Sequence, residues 1–201
     1  MSYKCRHCGN KLGKEFINFG NHPASNSYLT EKELSKIEKC YPLNVFICQK
    51  CWLAQIPEYA KPNELFKPDY SYFSSTSSSL VSFAKSFIND CLKKNIIDLK
   101  SFVVEIASND GYLLQHLKDL NINCLGIEPT ETAKTCESKG IKTLRDFFGT
   151  KLVEKILKDK SIIKNKPELI IANNVIAHVP DINDFMIGMA NLISPNGLIS
   201  I

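Results

Sequence analysis

The chain has 201 residues, 44% of them hydrophobic and 23% charged, with a formal net charge of +4. That balance belongs to a soluble globular protein; the lysines are scattered, so the charge leaves no nucleic-acid footprint, and no apolar run approaches a membrane span. The start, Met-Ser-Tyr-Lys-Cys, has no signal-peptide character, so a cytoplasmic, reducing setting is expected, in which the eight cysteines are thiols or metal ligands rather than disulfides.

Residues 1–60 are expected to form a zinc-binding module. Cys5-Arg6-His7-Cys8 and Cys48-Gln49-Lys50-Cys51 are two Cys-x-x-Cys pairs separated by 39 residues. A tight turn points both sulfurs of such a pair the same way, and two pairs complete a tetrahedral four-sulfur site. Gly9 is the small residue the first turn needs. A redox dithiol is the rival for either pair alone, but two pairs flanked by Gly9 and Trp52 favour zinc. Four thiolates leave no open position, so this zinc is structural. His7 is expected to face solvent, and Cys40 to be a small buried hydrophobe. Between the knuckles, Thr30 and Glu33 form a capping box that predicts a short helix to about Lys39. Residues 41–48 read as a strand and 23–28 as a loop.

The proline-punctuated stretch 57–68 is the expected domain boundary, and residues 61–95 are a connecting segment and helix. Residues 69–79 hold three aromatics among serines, which argues against a plain flexible linker. The helix predicted over 79–95 gathers Leu80, Phe83, Ala84, Phe87, Ile88, Cys91 and Leu92 on one face, to pack on the edge of a sheet.

Residues 96–201 read as an α/β domain with a parallel sheet. Residues 102–106 are a short β-branched strand, and Glu105 is expected to emerge at its carboxyl end. The small turn from Ala107 through Ser108, Asn109 and Asp110 to Gly111 leads into a helix. Strand, tight turn and helix together make a nucleotide-binding corner of an open α/β sheet, although an ordinary βα connection reads the same way and only Gly111 fills a usual glycine position. Residues 123–129 are a second apolar run with the acid Glu128 near its end, roughly where the second strand of a βαβ unit is expected to finish. A carboxylate there accepts both hydroxyls of a ribose; the alternative is a surface acid before Pro129. Thr130 is expected to cap a helix that stops at Gly140, ahead of a third strand over 141–144. Asp146 and Phe147 then have the chemistry to receive an adenine, the acid taking the amino group and the ring its face; the alternative is a capping acid and a core phenylalanine. A surface helix is expected over 149–160 and a fourth strand over 168–174, with Asn174 and His178 beyond its carboxyl end. Asp181 and Asp184 are expected in the cap and first turn of the next helix, before an apolar strand at 198–201. Because the sequence stops inside that strand, the sheet is expected to be incomplete, from a truncated or split protein.

Taken together, the knuckles Cys5/Cys8 and Cys48/Cys51, the run Tyr70-Ser71-Tyr72-Phe73-Ser74-Ser75, the run Val104-Glu105-Ile106-Ala107-Ser108-Asn109-Asp110-Gly111, Gly126-Ile127-Glu128-Pro129 and Asn174-Val175-Ile176-Ala177-His178-Val179-Pro180-Asp181 resemble the zinc-containing sugar C-methyltransferases, which act on nucleotide-linked 4-keto-6-deoxy sugars. The resemblance implies a zinc module followed by a Rossmann-like sheet that binds S-adenosylmethionine, with the family's C-terminal domain unmatched. It implies that Glu128 holds the cofactor's ribose, that Ala107, Asn109 and Gly111 surround its methionine and sugar parts, and that His178 and Tyr72 lie near the transferred methyl. Glu105, Asp146, Phe147 and Asn174 complete the expected cofactor set. In such enzymes a base removes the proton alpha to the sugar ketone and the enolate carbon attacks the methyl, which requires a base tuned near neutrality and dipoles for the enolate oxygen. Histidine titrates in that range.

The family's Glu-His pair after its fifth strand has no counterpart before Ile201. The expectation is therefore a chain that binds S-adenosylmethionine weakly and lacks C-methylation activity. One alternative is a zinc-ribbon RNA methyltransferase, which would want a basic face on the zinc module; there Glu15, Glu31, Glu33 and Glu38 offset the lysines. Another is a non-catalytic, cofactor-binding half that assembles with a missing C-terminal half. The expected substrate is a nucleotide-linked sugar, with no nucleic acid or membrane as partner.

Overall fold

The computed structural model describes residues 3–67, 70 and 72–201. Met1, Ser2, Pro68 and Asp69 lie outside the described residues, as does Ser71 of the aromatic–serine stretch. The chain divides into two compact units, Met1–Lys67 with Val179–Asn183, and Pro68–His178 with Asp184–Ile201. Among the described residues no helix is long and apolar enough to cross a membrane.

The first unit is built on an antiparallel sheet, β1 (Ile17–Pro23), β2 (Cys40–Ile47) and β3 (Ala54–Gln55), in that order. Its buried apolar core is small: Cys5, Leu12, Phe46 and Cys48, with Tyr3 and Leu53 partly covered. The helix predicted over 30–39 is absent. The capping contacts do form, with Thr30 N and Oγ1 donating to Glu33 Oε2 at 2.9 and 2.6 Å, but the segment stays a series of turns. Helix nucleation is costly and is offset by packing; Leu34 and Ile37 have none, at 70% and 101% exposed. Cys40 is also corrected, being exposed where β2 begins. A four-residue helix, α1 (Pro62–Leu65), lies in the proline-rich connection.

The second unit is an α/β sandwich around a five-stranded parallel sheet, as expected. After a 3-10 turn at Ser74–Thr76, the elements run α2 (Ser78–Lys93), β4 (Phe102–Ile106), α3 (Leu114–Asp119), β5 (Asn123–Ile127), α4 (Ala133–Ser138), β6 (Thr143–Leu144), α5 (Thr150–Lys158), β7 (Leu169–Ile171), a second 3-10 turn at Ile176–His178, α6 (Ile182–Leu192) and β8 (Leu198–Ser200). The strand order is β6-β5-β4-β7-β8. The chain winds outward from β4 through β5 to β6, then returns to place β7 on the other flank of β4. This reversal is a topological switch point, where the carboxyl ends of parallel strands leave a crevice for ligands.

Alternation along the strands supplies both faces of the sheet. Val103, Leu169 and Ile171 join Ala84, Ile88 and Cys91 of α2 and Leu114 and Leu117 of α3 in one core. Helix α2 therefore shares a core with the central strands β4 and β7 rather than lying along an edge. Phe83, expected on its buried face, is 57% exposed and stacks on Phe87. Strands β6 and β7 are shorter than their apolar runs predict.

Candidate functional site

The first knuckle is a tight loop closed by Cys5 N to Asn10 O at 2.8 Å and Gly9 N to Cys5 O at 3.0 Å, with Gly9 at φ +71°. The second repeats it, with Cys48 N to Leu53 O at 3.0 Å and Trp52 N to Cys48 O at 2.9 Å. Here Trp52 holds the left-handed position, at φ +62°, with its ring largely exposed. The loops bring Cys5 Sγ within 3.6 Å of Cys51 Sγ and Cys8 Sγ within 3.5 Å of Cys48 Sγ, and all four sulfurs lie within 4.8 Å of one another. A tetrahedral zinc with Zn–S bonds of about 2.3 Å needs sulfur separations of roughly 3.8 Å, so the set fits the ion.

Donors already face the sulfurs. Gln55 Nε2, on a buried side chain, donates to Cys5 Sγ at 3.2 Å, and Lys50 N to Cys48 Sγ at 3.4 Å. Burial raises the Cys5 thiol, but hydrogen bonds from Gln55 and from the backbone of Cys8 and His7 outweigh it and bring the thiol down to about 6. Such second-layer donors stabilise thiolates and orient them for a cation. Gln55 carries no signature in the sequence; only the pairing of β3 with β2 reveals it. His7 is exposed, as expected.

In the second unit the site grows from the turn after β4. Ala107, Asn109 and Gly111 all have left-handed backbone, at φ +56°, +51° and +76°. They stand at alternate positions, where a nucleotide-binding turn is usually glycine-rich. The conformation costs about 1–2 kcal/mol at a non-glycine residue, and such strain concentrates at functional sites. Gly111 is required on a second ground, since a Cβ there would lie 2.8 Å from Cys136 Sγ. Across the turn, a Cβ on Gly126 would meet Ser108 Oγ at 2.5 Å. Small residues at both positions let the turn close down over β5.

Glu128, at the end of β5, is 4% exposed. Its Oε2 accepts Asn109 N at 3.0 Å, and its Oε1 accepts Thr130 N at 2.9 Å and Thr130 Oγ1 at 2.6 Å. A carboxylate has about four acceptor positions, so three are committed within the fold. Thr130 is thus corrected: its hydroxyl serves Glu128, not the first turn of α4, which begins at Ala133. Asp184 stands in the first turn of α6, as expected, and its carboxylate also accepts Thr150 N at 3.3 Å at the start of α5.

Asn109 also reaches outward. Its Oδ1 accepts Ser74 N at 2.9 Å and its Nδ2 donates to Tyr72 O at 2.9 Å, while Asp110 Oδ2 accepts Ser75 N at 3.1 Å. Tyr72, Asn109, Gly111 and Glu128 are therefore brought together, and Ala107 lies exposed in the same turn. Topology places the remaining predicted residues along the same carboxyl edge. Asp146 and Phe147 follow β6 and are exposed, Phe147 at 42%, while the neighbouring Phe148 is the core ring, packed on Phe185 at 5.1 Å. Asn174 follows β7, exposed and left-handed at φ +57°; His178 is exposed in the 3-10 turn beyond it.

Glu105 does not emerge at the strand end. It is 2% exposed, and its Oε2 has no hydrogen-bond partner among the described residues. Burial, then the charges of Asp110 and Glu128, push its carboxyl well above the usual carboxylate range, so the fold favours its neutral form more than the unfolded chain does. Its contribution to stability is full below the ordinary glutamate value and is lost as pH rises toward the raised one. Glu105→Gln, neutral and of the same shape, should raise the thermal unfolding midpoint at neutral pH and flatten its decline above pH 5. A variant less stable than wild type at pH 7 would mean that the carboxyl is ionised in the fold.

A cavity of about 620 Å³ lined by Phe102, Asn123, Gly140 and Lys142 opens at the opposite, amino-terminal ends of β4 and β5, away from these residues.

Residues 5–66 match a family described as "Putative zinc binding domain". The whole chain is similar to the C-methyltransferase NovU of Streptomyces niveus, 26% identical over 196 residues, covering 97% of this chain but 46% of that protein. Among solved structures, the plantazolicin methyltransferase BamL in complex with a triazolic desmethylPZN analog and SAH is 17% identical, with TM-score 0.49 over 68% of this chain and 50% of that one. The sugar N-methyltransferase KedS8 from Streptoalloteichus is 13% identical, with TM-score 0.41 over 59% of this chain and 45% of that one. Likenesses this partial say nothing about chemistry. The zinc module and the chain-long similarity to a C-methyltransferase agree with the resemblance read from the motifs.

Proposed function

We propose that this chain is the cofactor-binding part of a zinc-containing, S-adenosylmethionine-dependent C-methyltransferase whose complete form methylates a nucleotide-linked keto-deoxy sugar. The observation that carries the reading is the junction at the switch point, where the left-handed turn after β4 and the acid ending β5 meet through Asn109 N and Glu128 Oε2 at 3.0 Å. The similarity to NovU over 97% of the chain supports it. Because the chain spans less than half of that relative, turnover belongs to the reading of the complete protein.

The residues fit an adenosyl cofactor. Glu128 retains one acceptor position for a ribose hydroxyl, and the small side chain of Ala107 leaves the turn's backbone open to a close approach. Asp146 and Phe147 offer an acceptor and a ring face for an adenine, and Asn174, just beyond β7, offers an amide at the same carboxyl edge. When bound, the cofactor supplies an electrophilic methyl on a sulfonium. Exposed His178, in the turn beyond β7, offers ring nitrogens that could donate to an enolate oxygen of the sugar. Tyr72, whose carbonyl accepts Asn109 Nδ2, would stand near the transferred methyl. Zinc takes no part in the reaction; four thiolates close its coordination.

Calorimetric titration with S-adenosylhomocysteine should give saturable one-to-one binding. A flat titration would remove the cofactor from the account. Transfer of labelled methyl to a 4-keto-6-deoxy sugar nucleotide is expected to fail with this chain alone, and turnover would place the whole catalytic set within it.

A further inference from the structure

Asn109 occupies a position where glycine would be cheaper, and its side chain accounts for it. One end of the amide accepts Ser74 N and the other donates to Tyr72 O, both at 2.9 Å. The side chain thus imitates the edge of a neighbouring strand, engaging the backbone on either side of Phe73. Asparagine tolerates left-handed backbone and offers a donor and an acceptor on one planar amide; aspartate lacks the donor and glycine lacks both. The fully buried Asp110 adds a third link, to Ser75 N at 3.1 Å. The same Asn109 gives its own N–H to Glu128. One residue therefore joins the acid ending β5 to the segment carrying Tyr72, which leaves Tyr72 45% exposed and Ser74 buried.

We propose that Asn109 is a positioning residue, clasping Tyr72–Thr76 to the turn so that filling of the cofactor site also orders the segment that presents Tyr72. This rests on the reading that the turn after β4 binds S-adenosylmethionine. Asn109 acts here through its neighbours: the turn's backbone meets the cofactor, and the amide sets where Tyr72 stands. Asp110 supports the clasp from the next position.

Hydrogen exchange on the zinc-loaded chain, with and without saturating S-adenosylhomocysteine, tests this. In wild type, ligand should slow exchange at residues 72–77. Asn109→Gly keeps the left-handed backbone and removes the amide. In it, exchange at 72–77 should quicken on the order of tenfold or more without ligand, as expected for losing about two hydrogen bonds, and ligand should no longer restore protection. Asn109→Asp, keeping the acceptor alone, should fall between. Protection across β4 and β5 should stay at the wild-type level in both variants; a uniform loss would make Asn109 a general stabiliser and overturn the proposal. Wild type that binds the ligand while 72–77 exchanges identically in Asn109→Gly would overturn it and leave the cofactor reading intact. Wild type that takes up no ligand would bring down the cofactor reading and the proposal together.

Discussion

Removing zinc is expected to unfold the segment that carries the four thiols and to leave the parallel sheet protected. The first unit has little else to hold it. Its buried apolar core consists of Cys5, Leu12, Phe46 and Cys48, two of them ligands, and every residue of β1 is exposed. Metal binding in modules of this size supplies roughly 10–16 kcal/mol apparent, more than the whole stability of many domains. Chelation at neutral pH should therefore release one zinc per chain and abolish hydrogen-exchange protection through 3–55, while β4, β5 and β7 stay slow. Cys48→Ala should do the same without chelator, leaving three ligands around a void. Acid should mimic it, because protons compete for thiolates. A metal-free chain with full protection at the knuckles would refute the zinc assignment.

Glu128→Ala is expected to lose cofactor and stability together. A hydrogen bond from a neutral group to a carboxylate contributes about 1.5–3 kcal/mol, so losing the one from a ribose hydroxyl predicts a fall in affinity of roughly ten- to a hundredfold. The same substitution strips Asn109 N, Thr130 N and Thr130 Oγ1 of their acceptor. Buried donors left unsatisfied cost about 1–3 kcal/mol. The two losses separate through Thr130→Val, which removes the hydroxyl and keeps the carboxylate. Its unfolding midpoint should drop while its titration with S-adenosylhomocysteine stays within a few-fold of wild type. Unchanged affinity in a folded Glu128→Ala would exclude the acid from the site.

The sequence displayed the chemistry-bearing pieces better than the scaffolding between them. Cys-x-x-Cys spacing is a local geometric requirement, so both knuckles can be read directly, and the β-branched run at 102–106 gives β4 to the residue, while the run at 123–129 gives β5 only roughly. Between the knuckles a capping box is only a local signal; Thr30 and Glu33 pair as expected, yet nothing among the described residues covers Leu34 and Ile37, and no helix forms. Strand β1 had no apolar alternation to announce it. Positions 107 and 109 hid their backbone state, since Ala and Asn replace the glycines that would have betrayed it, and only coordinates reveal three left-handed residues in alternation. Thr130 looked like a cap because Ser and Thr before a helix usually are; its hydroxyl found a buried carboxylate two residues back instead. The clasp of Asn109 on Tyr72 spans 37 positions and leaves no periodic trace.

Amide chemical-shift mapping of the zinc-loaded chain during titration with S-adenosylhomocysteine tests the central claim most directly. The perturbed amides should be those of Ala107 to Gly111, Glu128, Thr130, Asp146 and Phe147, with Tyr72 and Ser74 following. Shifts concentrated instead around Phe102, Asn123, Gly140 and Lys142, at the other end of the strands, or no shifts at saturating ligand, would contradict an adenosyl site at the carboxyl edge of β4 and β5.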